Sequence, residues 1–162
     1  MPITVNIRHL EAHNVQLEGA LAAKELDIER PDEVIRVTHP LEYKLEVQQI
    51  ENGLLVQGRL HLPLDCECVR CLKPFRYDLV LDPWTSLLSF TGEEAVTINN
   101  DVVDLTPYVR EDILLEFPQH PLCQPECRGL PKPSAEKKKR ADAAGQTETG
   151  SSTWSELNKL KF

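Results

Sequence analysis

Five cysteines carry the clearest chemistry in this sequence, and they lie in two short segments. Three occur in "DCECVRCLKPF" (65–75) and two in "PLCQPECRGL" (121–130). Within each segment, two cysteines are separated by only two or three residues, a spacing that lets two thiolates hold one tetrahedral ion. A structural zinc site is therefore predicted, with two ligands from each segment. The predicted ligands are Cys68, Cys71, Cys123 and Cys127.

Other uses of the cysteines stay open at the level of sequence. Cys66 competes as a ligand, and the 51 residues between Cys71 and Cys123 far exceed the spacing of compact zinc fingers. The sequence therefore does not show that the two pairs meet. "CVRC" (68–71) is also a C-x-x-C motif of the kind that thiol redox proteins use, although such sites need a helix N-terminus in a βαβ unit. Cysteines are also common in hydrophobic cores, whereas an odd number of them cannot all pair as disulfides.

No other group of residues has the pattern of a catalytic site. The five histidines are scattered, and the seven glycines form neither a phosphate-binding loop nor a nucleophile elbow. Glu111, Asp112 and Glu116 are close together on one predicted helix, where acidic residues usually face solvent. We therefore expect a protein that is not an enzyme and has no small-molecule substrate.

Charge is distributed unevenly along the chain. Residues 1–131 contain 11 Lys and Arg against 22 Asp and Glu, whereas residues 132–162 contain seven against four. A body with this excess of acidic residues matches a phosphate backbone poorly, so high-affinity nucleic-acid binding by the body alone is not expected. The basic run "KPSAEKKKR" (132–140) is interpreted as a solvated linker.

The N-terminal residues predict a cytoplasmic protein. The segment "MPITVNIRHLEAHN" (1–14) has no apolar region typical of a signal peptide. No stretch of the sequence approaches the ~18 apolar residues of a membrane span. We therefore expect no membrane partner and a reducing compartment, in which structural disulfides are rare.

Alternating apolar residues predict the strands that position the cysteines. A hairpin is predicted around Asn52-Gly53, because this dipeptide supplies the positive φ angles of a type I′ turn. Its strands are 41–50 and 54–66, and the second leads into the first cysteine segment. Further strands are predicted at 3–10, at 74–90 and within 91–106. The residues predicted to share one face of the first hairpin strand are Leu41, Tyr43, Leu45 and Val47.

Two helices are predicted in the body. "EGALAAKELDI" (18–28) is rich in Ala and Leu, which favour a short helix. "TPYVREDILLEF" (106–117) has Thr106 as a predicted N-cap and Pro107 at the first helical position, with apolar residues spaced by four. The prolines after residue 117 end this helix and lead to the second cysteine pair.

These elements predict an α+β fold, in which one main helix packs on a twisted, largely antiparallel sheet that can curl toward a barrel. Residues 1–131 are expected to form a single β-rich domain. Residues 132–153 lack periodicity and are predicted to be disordered. Residues 154–162 are predicted to form a short amphipathic helix whose apolar stripe can bind a partner. This stripe consists of Trp154, Leu157 and Leu160.

Three segments, in this order, resemble the bacterial YceD family of large ribosomal RNA subunit accumulation proteins. They are "CVRCLKPF" (68–75), "VDLTPYVREDILLEFPQHPLC" (103–123) and "WSELNKLK" (154–161). The positions that carry the family signature are Cys68, Arg70, Cys71, Pro74, Asp104, Leu105, Glu111, Leu114, Leu115, Pro118, Cys123, Cys127 and Gly129.

The resemblance implies a cytoplasmic, non-enzymatic factor that affects the synthesis, processing or accumulation of 23S ribosomal RNA. Its implied partners are ribosomal RNA or ribosome-assembly proteins. Because the body is acidic, docking on basic ribosomal or assembly proteins is an alternative to direct contact with RNA. A redox protein or thiol switch that uses the CVRC motif is the alternative function.

Overall fold

The structure is a computed structural model that describes residues 2–10, 13–29, 32–93 and 95–131. The linker predicted for 132–153 and the helix predicted for 154–162, with Trp154, Leu157 and Leu160, lie outside the described residues. Neither helix of the described part has both the length and the apolar character needed to cross a membrane.

Antiparallel strands dominate the described part of the chain, which confirms the predicted α+β class. The elements are β1 (Thr4–Asn6), α1 (Ile7–Leu10), β2 (Val15–Leu21), β3 (Ile35–Arg36), β4 (Leu41–Ile50), β5 (Gly53–Glu67), β6 (Pro74–Ser89), β7 (Ile98–Asn99), β8 (Val102–Asp104) and α2 (Thr106–Leu115). The main helix is α2, as predicted. Predicted strand 3–10 is shorter than expected, because residues after Asn6 turn into α1.

The larger sheet is organised around β5. The first part of β5 pairs with β4, and the end of β5 pairs with β3. Strand β6 pairs with β5 from one end of β5 to the other. On the far side of β4 lies β2, and the separate smaller sheet has the order β1-β8-β7. Neither sheet closes into a barrel, because no strand in the described residues joins β2 to β6.

The predicted hairpin is confirmed, but its turn is not of type I′. Ile50 pairs with Gly53, so the two loop residues are Glu51 and Asn52, and neither has a positive φ angle. Gly53 is instead required by a close approach of β6. A Cβ atom on Gly53 would lie 2.2 Å from the main-chain oxygen of Leu88.

The helix predicted for residues 18–28 is wrong. Residues up to Leu21 belong to β2, which pairs with β4 in the register Leu17 opposite Leu45. A series of turns follows and includes Asp27, whose φ of 53° is incompatible with a right-handed helix. Pairing with a strand that is already part of the sheet outweighs the small helix preference of Ala and Leu.

Helix α2 lies where it is predicted but begins one residue earlier. Its N-cap is Leu105, which places Thr106 inside the first turn. The Thr106 hydroxyl accepts the backbone N–H of Ile3 at 2.9 Å, and the Asp104 carboxylate accepts the N–H of Thr106 at 2.9 Å. These bonds fix the helix start against β1 and β8.

One hydrophobic cluster connects both sheets with α2. The predicted apolar face of β4 is confirmed, with Leu41, Leu45 and Val47 buried and Tyr43 partly buried. From α2, Val109 and Ile113 are fully buried in the same cluster. Because burial of one such side chain stabilises a protein by about 1.5–3 kcal/mol, this core holds the sheets and the helix together without a ligand.

Candidate metal centre

Cys68 and Cys71 lie in the turn that joins β5 to β6. Glu67 is opposite Pro74 at the end of the ladder, so the turn consists of residues 68–73. The N–H of Cys68 donates to the Lys73 carbonyl at 2.9 Å. The N–H of Leu72 donates to the Cys68 carbonyl at 2.8 Å, and Leu72 has a left-handed φ of 60°. The C-x-x-C motif is therefore wound into a compact turn between two strands.

Cys123 and Cys127 lie in the irregular segment after α2. Pro118 and Pro121 keep this segment from continuing the helix, and the N–H of Cys127 donates to the Gln124 carbonyl at 3.1 Å. The resulting turn brings the two thiols to the same side. The local sequence thus presents each cysteine pair on its own turn.

Two hydrogen bonds and one close main-chain contact hold the two turns against each other. The N–H of Val69 donates to the Pro121 carbonyl at 3.1 Å. The Arg70 guanidinium donates from Nη1 to the Cys127 carbonyl at 3.0 Å. Gly129 has a φ of 81°, and a Cβ atom at this position would lie 3.4 Å from the Arg70 carbonyl oxygen. Arg70 and Gly129, two signature positions, therefore help to join the cysteine pairs.

The four predicted ligands form one cluster, which we call the cysteine cluster. Its sulfur atoms all lie within 4.8 Å of one another. Two separations join the two turns, with 3.8 Å between Cys68 Sγ and Cys127 Sγ, and 3.6 Å between Cys71 Sγ and Cys123 Sγ. The fold therefore brings the two cysteine pairs together although 51 residues separate Cys71 from Cys123 in the sequence.

The sulfur separations fit a metal site better than disulfides. Bonded sulfurs lie about 2.05 Å apart, and all five cysteines are free. Four sulfurs placed tetrahedrally at the usual zinc–sulfur distance of about 2.3 Å lie about 3.8 Å from one another. The two separations across the turns, 3.8 and 3.6 Å, match this edge length, and the four residues together could hold a metal ion.

The surroundings of the cluster shift two thiol pKa values in opposite directions. Hydrogen bonds from backbone N–H groups, that of Cys123 first and those of Cys71 and Arg70 after it, lower the pKa of Cys68 to about 6 against the opposing effect of burial. The pKa of Cys123 is raised to about 12, chiefly by its hydrogen bond with the Cys71 side chain and next by burial. A bound divalent cation would lower the pKa of both thiols, because thiols that coordinate a metal lose their protons.

Cys66 lies apart from the cluster. It is 3% exposed, belongs to the hydrophobic core, and stands in the ladder between Ile35 of β3 and Phe75 of β6. Burial, and next the charge of Asp65, raise the pKa of its thiol. Cys66 therefore has the packing role that the sequence left open for cysteines, and it does not compete for the ion.

Three further signature positions, Pro74, Asp104 and Glu111, lie outside the cysteine cluster. Pro74 opens β6, and Asp104 holds the first turn of α2. Glu111 is exposed on α2 and is not a member of the cysteine cluster. Sequence reasoning missed Leu72 and the backbone of Val69, since a left-handed leucine and a main-chain donor leave no recognisable sequence signal.

Comparison with known proteins gives a family match over most of the chain. A family model described as "Large ribosomal RNA subunit accumulation protein YceD" matches residues 56–161, which include both cysteine pairs. An uncharacterized protein of Mycobacterium tuberculosis is 32% identical over 98 residues, or 56% of this chain and 47% of that protein. An uncharacterized protein of Mycobacterium leprae is 29% identical over 105 residues, or 60% of this chain and 48% of that protein. The chain thus spans about half the length of these relatives, and no solved structure gives a significant match.

Proposed function

Because the chain belongs to the YceD family, we propose that it is needed for large-subunit ribosomal RNA to accumulate, and that it acts by binding and not by catalysis. The cysteines are the only group with the pattern of a chemical site in the sequence, and their arrangement suits a structural ion. The partners are ribosomal RNA or the proteins that assemble on it. The family match carries the ribosomal part of this proposal.

We further propose that the cysteine cluster binds one zinc ion as a structural clasp. The observation that carries this proposal is the meeting of four sulfurs from two distant turns within 4.8 Å of one another, with separations of 3.8 and 3.6 Å between the turns. Four thiolates in a tetrahedral arrangement also suit iron. Zinc is favoured for a structural role because it has no redox chemistry of its own.

The clasp would connect the β5–β6 turn to the segment after α2. The hydrogen bonds of Val69 and Arg70 already join that segment to the β5–β6 turn. Zinc ligation would add four metal–sulfur bonds at the same contact and would order the surface around the two turns.

Metal content and thiol reactivity test the clasp. We expect about one zinc per chain in protein purified without chelator and without added zinc, measured by elemental analysis, with four thiols protected from alkylation until a chelator is added. Cys71→Ser should lose the zinc. The matched control is Cys66→Ala, which removes a thiol outside the cluster and should retain it.

Protein that contains no metal, with thiols that react before chelation, would contradict the clasp. Rapid alkylation of Cys68 and Cys71 in that protein would support the alternative thiol switch. The turn lacks the helix N-terminus that such sites use, so this alternative draws little support from the fold.

Ribosomal RNA in cells tests the wider function. Deletion of the gene in its source bacterium should lower the ratio of 23S to 16S ribosomal RNA, and a plasmid copy should restore it. The Cys66→Ala copy should restore the ratio and the Cys71→Ser copy should not. An unchanged ratio in the deletion strain would contradict the proposed function.

A further inference from the structure

The two turns that carry the cysteine cluster differ in charge from the rest of the body. We call residues 68–76 and 121–130 the clasp surface. It contains four Lys and Arg against one acidic residue, Glu126, whereas the rest of residues 1–131 contains seven against 21. A zinc ion with four thiolates adds a charge of about −2 to this region. The clasp surface is then still slightly positive, whereas the remainder of the body is strongly negative.

Two of the four cations on the clasp surface have no partner within the described residues. Arg70 donates to the Cys127 carbonyl, and Arg76 Nε lies 3.8 Å from a carboxylate oxygen of Asp78. Lys73 and Arg128 are both exposed, and neither takes part in an ion pair or a side-chain hydrogen bond in the part of the chain that the structure describes. They are therefore available to an anionic ligand.

Exposed apolar side chains lie among these cations. Val69 is 40% exposed, Leu72 57% and Leu130 62%. Leu130 follows Gly129, which packs on Arg70, so both turns contribute to one surface. Leu72 is unusual in two respects. A left-handed φ of 60° is unfavourable for a residue with a branched side chain. The side chain is also exposed to solvent, so burial does not offset this backbone strain. A strained, exposed leucine of this kind is typical of a contact residue.

We propose that the clasp surface is where this protein binds single-stranded RNA, an inference that rests on the proposed function and names its partner. Lys73 and Arg128 contact phosphates, while Leu72 and its apolar neighbours lie against the faces of unstacked bases. The acidic remainder repels the RNA backbone, so the RNA can approach only this end of the body. The small number of free cations implies weak binding, in which apolar contacts supply much of the affinity.

Fluorescence anisotropy with the full-length, zinc-loaded chain tests the proposal. The probe is a fluorescein-labelled oligouridylate of about 15 nucleotides, within the length that one small domain covers. The affinity should fall between about 50 and 200 mM salt, and each phosphate contact should add about 0.7 to the slope of log K against log salt. The double variant Lys73→Gln/Arg128→Gln should therefore lower the slope by about 1.4 and weaken binding.

Matched variants distinguish binding at the clasp surface from a general effect of positive charge on RNA binding. Lys24→Gln/Lys44→Gln removes two cations from the acidic remainder and should leave both the affinity and the slope nearly unchanged. Replacing the basic run at 137–140 with glutamine should also leave binding to the clasp surface in place. If either variant abolishes binding while Lys73→Gln/Arg128→Gln does not, the inference is wrong.

Leu72→Asn tests the apolar contact independently of charge. Asparagine tolerates the left-handed conformation, so this variant should melt at the same temperature as the parent or higher. It should nevertheless bind the oligouridylate several-fold more weakly. A leucine with only a structural role would show unchanged RNA binding.

The results also distinguish the inference from the proposed function. The inference is overturned if the parent chain does not bind the oligouridylate at about 50 mM salt. If the deletion strain still has a low 23S to 16S ratio, the proposed function stands, and protein partners become its basis. If the parent binds RNA but the ratio is unchanged in the deletion strain, the proposed function fails on its own.

Discussion

The two ends of β5 are held in place by different means. At its first residue, Gly53, the main chain of β6 approaches so closely that no side chain fits. At its other end, the turn that begins with Cys68 meets a distant segment through four sulfurs. The first end is held by close packing and strand pairing within the chain, whereas the proposed zinc ion would help to hold the second. Stability at the second end should therefore respond to metal and to pH, and stability at the first should not.

The largest effect is expected from removing the metal. With free zinc at about a thousand times the Kd, ligation stabilises the folded chain by about 4 kcal/mol. Chelation should lower the free energy of unfolding, measured with urea, by about this amount. Hydrogen exchange should show that the turns at 68–73 and 121–130 lose nearly all protection, whereas β4 loses only the part that follows from the lower free energy of unfolding. Turns that remain as well protected as β4 after chelation would contradict the distinction between the two ends.

A side chain at Gly53 should destabilise the first end of β5, where β6 packs closely against it. Gly53→Ala places a Cβ atom 2.2 Å from the Leu88 carbonyl oxygen, and we expect it to cost about 3 kcal/mol of stability. The cost should be the same with and without chelator, in the same urea assay. Gln57→Ala, at an exposed position of β5, is the matched control and should cost less than about 0.5 kcal/mol.

A smaller effect is expected where β6 meets α2. Trp84 is 6% exposed, and its Nε1 donates to the Asp112 carboxylate at 2.7 Å. Trp84→Phe removes this bond to a charged acceptor and should cost about 1.5–3 kcal/mol. The exposed neighbour Glu111 provides the control, since Glu111→Gln should change the stability by less than about 0.5 kcal/mol. Equal costs for the two substitutions would show that the bond contributes nothing.

The smallest effect is expected from pH, in protein freed of metal and kept reduced. The pKa of Cys68 is lowered to about 6 from an ordinary value of 9.0, so its contribution is present above pH 9 and is lost as the pH falls toward 6. The pKa of Cys123 is raised to about 12, so its contribution is present below pH 9 and is lost as the pH rises toward 12.

Together these two shifts predict a maximum in the stability of the metal-free chain near pH 9. Urea unfolding at several pH values, with Cys68→Ser/Cys123→Ser as the control, measures it. In the double variant, the free energy of unfolding should no longer show the pH dependence that these two thiols cause. A parent curve identical to that of the variant would show that neither thiol is perturbed in the folded chain.

Local patterns predicted much of the fold. Alternation predicted β4, β5 and β6, and spacing by four predicted α2, because these signals depend on residues that are neighbours in the same element. The helix expected at 18–28 failed since its Ala and Leu content carries only a weak preference. Available hydrogen bonds on the edge of β4 outweighed that preference.

The sequence by itself determined which residues can bind an ion, because thiol chemistry and the spacing of each pair are local properties. It equally determined the acidic character of the body and the basic character of the clasp surface. Only the tertiary structure decided that the two pairs meet and that Cys66 is excluded. Whether the two pairs meet depends on how α2 and the β5–β6 ladder pack on one core. This packing sets the distances between segments that are far apart in the sequence.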